Sequence, residues 1–142
     1  DHRGAFEYWS KAAELGNAGA HHLLSIMYDR GEGVKKDEKK VVFHLEQAAI
    51  GGNPFARTNL AKIETLNGRK ERAVKHLIIA ANLGDDDALE SLKLAYGKGL
   101  ISKEDFAAAL RGHQAAVNAT KSPARETAEA YYQMKKKKKR QS

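Results

Sequence analysis

The sequence predicts an all-α solenoid of helix pairs, and three observations carry that prediction. First, one phrase, Ala-Ala-x-x-Gly-x-x-x-Ala, is written three times: Ala12, Ala13, Gly16 and Ala20; Ala48, Ala49, Gly52 and Ala56; Ala80, Ala81, Gly84 and Ala88. The copies are spaced by 36 and then 32 residues. At that period each repeat is one supersecondary unit that buries its apolar face only against its neighbours. Second, other positions keep the same register: Leu24, Leu60 and Leu92; Ala5, Val41 and Ala73; Trp9, Leu45 and Leu77. Third, the composition favours helix throughout, with proline confined to Pro54 and Pro123.

About eight helices are predicted, near residues 2–15, 18–30, 37–51, 54–67, 69–83, 86–98, 103–119 and 123–137. Paired alanines late in a helix mark a close approach to a neighbour. The glycine that follows (Gly16, Gly52, Gly84) ends that helix, because glycine takes the left-handed conformation at little cost. Asn17, Asn53 and Asp85 then cap the next helix, and Pro54 suits its first turn. The third alanine seats the new helix against the old one. Tyr28 and Tyr96 are equivalent, with Glu64 between them, and Gly31, Asn67 and Gly99 mark the turn after each first helix. The turn that begins at Gly31 and contains Gly33 is cut short after Asn67, which accounts for 36 becoming 32. Ser102 and Ser122-Pro123 open the last two predicted helices. The helix pairs thus fall at about 18–51, 54–83 and 86–119, together with a half repeat at 2–15 making a repeat domain over 1–119. Residues 120–134 are expected to form a C-terminal capping helix, and 135–142 a basic tail disordered at its end. The first helix has no helix before it, so Phe6 and Trp9 are expected to be partly exposed.

Bulk properties narrow the function classes. The 142 residues contain no apolar run long enough to span a membrane. The chain opens on Asp1 with no secretory leader and reads as a fragment of something longer, with an upstream domain possible. Cysteine is absent, which excludes disulfides and Cys-ligated zinc and fits a reducing, intracellular setting. The net charge of +7 belongs to the tail: Lys135, Lys136, Lys137, Lys138, Lys139 and Arg140 carry six of the 25 basic residues, leaving 19 against 18 acidic ones. The body therefore lacks the basic face of a nucleic-acid binder. The tail has three readings: a nuclear-localisation-like patch, a contact for an anionic surface or nucleic acid, or a solvated terminus. Localisation is accordingly expected to be cytoplasmic or nuclear.

No catalytic, cofactor or metal constellation is read from the sequence. His21 and His22 are adjacent, so on a helix they diverge by about 100°. His44 and His76 are repeat-equivalent and lie on separate helices, so surface or groove histidines are expected rather than ligands. Gly31-Glu32-Gly33 lacks the third glycine and the Gly-Lys-Ser/Thr ending of a phosphate loop and reads as a turn. Asp85-Asp86-Asp87 reads as a helix cap that complements the helix dipole.

The run Leu24-x3-Tyr28-x2-Gly31-x-Gly33-Val34-x2-Asp37-x2-Lys40, followed by Ala48-Ala49-x2-Gly52-x3-Ala56, resembles the Sel-one-like repeat, a relative of the tetratricopeptide repeat with a glycine-marked turn. The match covers roughly residues 1–116 and weakens in the second and third units. The resemblance implies right-handed stacking of antiparallel helix pairs around a groove lined by the first helix of each pair. It implies a scaffold or adaptor that binds a protein or peptide partner, or alternatively a substrate-recruiting arm of a larger ubiquitin ligase carrying a zinc module. Some secreted relatives are linked to penicillin hydrolysis, which would want Ser-x-x-Lys; no serine of this chain fits, and no enzyme is expected. Groove positions should be polar and differ between copies. On that basis His22, Thr58 and Glu90, then Ser25 and Lys93, with Lys62, are the expected partner-binding residues.

Overall fold

The computed structural model describes residues 1–141, leaving aside the side chain of Ser122. Seven helices follow one another among them, with no strand: α1 (His2–Glu14), α2 (Ala18–Arg30), α3 (Glu38–Ile50), α4 (Ala56–Leu66), α5 (Lys70–Asn82), α6 (Asp86–Gly97) and α7 (Lys103–Gln141). Each of the first six packs on the next, most extensively α2 on α3 and α4 on α5, while α7 lies against both α5 and α6. That nearest-neighbour pattern is a solenoid.

The repeated phrase is a joint. In each copy the glycine N–H bonds to the carbonyl of the second alanine, and the next residue's N–H reaches back to that of the first. The distances are 2.9 and 3.1 Å at Gly16 and Asn17, 3.1 and 2.9 Å at Gly52 and Asn53, and 2.9 and 3.1 Å at Gly84 and Asp85. The glycines hold φ of +87°, +87° and +95°. Two otherwise unpaired helix-end carbonyls are thereby satisfied. The Asn or Asp side chain then accepts from the N–H of Ala20, Ala56 or Ala88 at 2.9–3.1 Å, starting the next helix. Those three alanines are fully buried, and Leu24, Leu60 and Leu92 are the largest fully buried side chains. The fixed register of the sequence is the core.

Gly33 makes a different contact. Its φ is +73°, and a Cβ there would lie 2.3 Å from the His2 carbonyl oxygen. The glycine turn after α2 therefore abuts the start of α1, and Val34 from the same turn packs on the core around Tyr28 and Val41. Phe6 and Trp9 are half-buried, as expected for a first helix without a predecessor.

Four expectations are corrected. The predicted seventh and eighth helices are one, α7, which runs through Pro123. A proline removes one intrahelical bond, but the carbonyl it leaves, on Ala119, belongs to an exposed stretch where water can satisfy it. Residues 120–134 do not cap the solenoid: that role falls to the first part of α7, where Phe106 and Ala109 join the last core cluster. The basic run, expected to be disordered at its end, continues α7 to Gln141, and Ser142 lies outside the described residues. α4 also begins later than expected: Pro54 and Phe55 form a turn, and regular helix opens with Asn59 N–H bonding the Phe55 carbonyl at 3.0 Å.

Candidate functional site

The expected groove residues separate into those the fold brings together and those it does not. Thr58 and Lys62, one turn apart on α4, line a cavity of about 480 Å³ floored by α5 and walled on the far side by α6. Ser25 is a correction: it is 3% exposed, its hydroxyl donates to the His22 carbonyl at 2.6 Å, and its equivalent Ala61 is equally buried. Small side chains stand at that position in the first two units because helices meet there, whereas the third unit carries the exposed Lys93. Glu90 and Lys93 sit on the exposed face of α6, paired with each other at 2.8 Å and outside the cavity lining. Ser91, Leu94, Ala95 and Lys98 take their place. His22 is half-buried, stacks on Phe55 with ring centroids 5.9 Å apart, and receives the Asn59 amide at 3.4 Å.

The cavity is apolar at its centre and basic at its rim. Leu66 is 86% exposed and Leu94 68% exposed, on facing walls, with Leu100 at the end. Lys62, Lys70 and Lys98 stand around them, and no carboxylate lines the cavity. The sequence pattern missed Leu66 and Leu94. Leu66 aligns with Arg30, and Leu94 with Lys62 and Ile26, so apolar residues occupy positions where another copy carries charge. A search for polar differences between copies passes over them.

The neighbouring space of about 260 Å³, between the end of α2, the start of α3 and α4, is its counterpart one unit earlier. Asp29, Asp37 and Glu38 line it, with Lys36, and Leu66 is shared with the larger cavity. On the other edge of α4, Thr58 donates to Asp85 at 2.8 Å, tying the second unit to the joint of the third.

Five of the six histidines make contacts within the fold. His21 and His44 meet Nδ1 to Nδ1 at 2.9 Å, so one donates and the other accepts. His44 stacks on Tyr28 at 5.5 Å and 12°, and its pKa is lowered by burial, then by the charges of His21 and Lys40. Burial also lowers His22 and His76, the latter with Arg57 beside it at 3.4 Å. His113 Nε2 lies 2.7 Å from Asp86 and ties α7 to α6. Among the described residues no group of three or more His, Asp or Glu could hold a metal ion, and no helix is long and apolar enough to cross a membrane.

Stacked helix pairs joined by one repeated cap, with an apolar groove opening between adjacent units, define a helical-repeat solenoid of the interaction type. The sequence pattern of the Sel1 repeat matches residues 1–17, 18–53 and 56–85, more than half of the chain, and the chain belongs to the Sel1 repeat family. Sel1 repeats mediate protein–protein interactions. The third unit, beyond residue 85, lies outside the matched segments although Ala88 and Leu92 keep their buried places. Among solved structures, a Sel1 repeat protein from Oxalobacter formigenes is 32% identical with a TM-score of 0.63, over 84% of this chain and 51% of that one. The protective antigen c5321 of uropathogenic Escherichia coli, described as having an SLR fold, is 26% identical with a TM-score of 0.62, over 76% of this chain and 25% of that one. A curated relative, DAP3-binding cell death enhancer 1 of Mus musculus, is 25% identical over 89% of this chain. The chain spans about a third of that relative's length, 32%.

Proposed function

We propose that this chain is the partner-holding segment of an interaction scaffold, and that the partner seats in the groove between α4, α5 and α6. The observation that carries the reading is the pair of exposed leucines on facing walls, Leu66 and Leu94, over a cavity of about 480 Å³. Large aliphatic side chains left in water on both sides of a concave surface are the usual mark of a binding site. Family membership supports it, because repeat solenoids bind along their grooves.

The mouse relative is named for binding DAP3, which makes DAP3 the first partner to test. A photo-crosslinking residue at position 65, on the exposed lining of the cavity, should capture it, and adding Leu66→Asp with Leu94→Asp to that probe-bearing chain should abolish capture. Leu15→Asp, at an equally exposed site far along the chain, should leave capture intact. Equal capture by the groove variant and the Leu15 variant would remove the groove from consideration.

A further inference from the structure

We infer that the segment held in the groove is charge-polarised: apolar in its middle, acidic over the α4–α6 cavity and basic over the smaller space between α2, α3 and α4. The inference rests on the partner-binding reading and specifies the chemistry of the partner.

The two spaces form one track, since Leu66 lines both. Their charges differ at equivalent positions. Lys70 of the larger cavity corresponds to Glu38 of the smaller, and Thr65 corresponds to Asp29. The larger cavity carries Lys62, Lys70 and Lys98 with no carboxylate in its lining. None of these lysines forms an ion pair among the described residues, so their charges are open to a partner. The smaller space carries three carboxylates against Lys36. Arg69 lies near enough to Glu38 to feel its charge, but that guanidinium is already committed to Glu64.

Opposed charges along one track select both composition and direction. A uniformly anionic ligand, such as nucleic acid or an acidic membrane, would meet lysines in one space and carboxylates in the next. The chain's own lysine run would suit only the acidic space. A protein segment with a leucine-type centre, carboxylates at one end and a cation at the other satisfies both.

The test uses fluorescence anisotropy with four labelled synthetic peptides of about twelve residues, about 40 Å when fully extended. One runs glutamate block, leucine–alanine block, lysine block; a second has the reverse order; a third scrambles the charges; a fourth replaces them with glutamine. One block order should bind roughly tenfold tighter than the scrambled peptide at low salt, and the margin should shrink in high salt. The protein variant Lys62→Glu, Lys70→Glu, Lys98→Glu, Asp29→Lys, Glu38→Lys changes only exposed residues. With its helicity verified by circular dichroism, it should transfer the preference to the opposite block order. Equal binding of blocked and scrambled peptides, an unchanged preference in the inverted variant, or no binding by any peptide would each overturn the proposal. Heparin binding as tightly as the best peptide would do so too. The Leu66/Leu94 crosslinking result decides the partner-binding reading separately.

Discussion

At the residue scale, the second unit rewrites the chemistry of the first without changing its geometry. In the first, Tyr28 is buried with the Lys40 ammonium 5.4 Å from its ring centroid and His44 stacked on it. The equivalent residues in the second are Glu64, Arg72 and His76. Glu64 is only 4% exposed, yet it is bound by Arg69 and lies 3.7 Å from Arg72. The trimmed turn brings Arg69 within reach, so the lost tyrosine and the lost loop residues are one compensated change. The Arg69 hydrogen bond, helped by both guanidinium charges, outweighs burial and holds the Glu64 carboxyl below its ordinary 4.5. A lowered carboxyl pKa means the unfolded chain takes up the proton first as pH falls. The stability Glu64 contributes is therefore complete above pH 4.5 and is lost below it, towards the folded pKa. Glu64→Gln should lower the melting temperature at neutral pH and flatten the acid slope below pH 4.5, as read by thermal denaturation across a pH series. His44 acts in a higher window. Its pKa is held below 6.5, so its contribution is full above pH 6.5 and declines beneath it, where its contact with His21 requires one ring to stay neutral. His44→Phe keeps a ring over Tyr28 and should remove that decline, measured in the same series.

At the element scale, the stacking joint dictates which alanines matter. Ala56 is fully buried, whereas Ala49 is half-buried. Ala56→Leu should cost about 1–3 kcal/mol by overpacking the helix crossing, and Ala49→Leu distinctly less; chemical denaturation followed by circular dichroism measures both. The joint was legible in the sequence because all of its parts are local: two alanines, a glycine and a cap within nine residues, repeated three times. The span of α2 matched for the same reason, bounded by Asn17 and the left-handed Gly31. What was misread depends on surroundings. Ser122-Pro123 carries the local signature of a helix start, but the described residues flanking it are exposed and favour helix, so α7 runs through. Ser25 differs between copies as a binding residue would, but it and its equivalent Ala61 are small and buried at a helix crossing, and only the third copy, Lys93, reaches solvent. The groove leucines escaped because exposure depends on the gap between two units, which no single unit encodes.

At the scale of the whole molecule, stability in a solenoid is a sum over neighbouring interfaces, so each segment matters only as far as it touches the next. α7 makes this visible within a single helix. Its first part closes the array: Phe106 stacks on Tyr96 at 5.0 Å, Ala109 is buried in the last core cluster, and His113 meets Asp86. Gly112 permits this docking, since a Cβ there would run into the Asn82 side chain. After Val117 every described residue is exposed, including Tyr131, Tyr132 and Met134. The lysines that follow suit the negative end of the helix dipole but repel one another one turn apart. This extension therefore adds charge and reach without adding core. Removing residues 121–142 should leave the melting temperature within about 1–2 °C, because only exposed contacts are lost. Removing residues 103–142 should lower it far more, because the buried faces of Leu92 and Ala81 lose the helix that closes their cluster. Differential scanning calorimetry on the two truncations distinguishes the halves of α7. If the shorter truncation melted as early as the longer one, the extension would have to pack on the repeats.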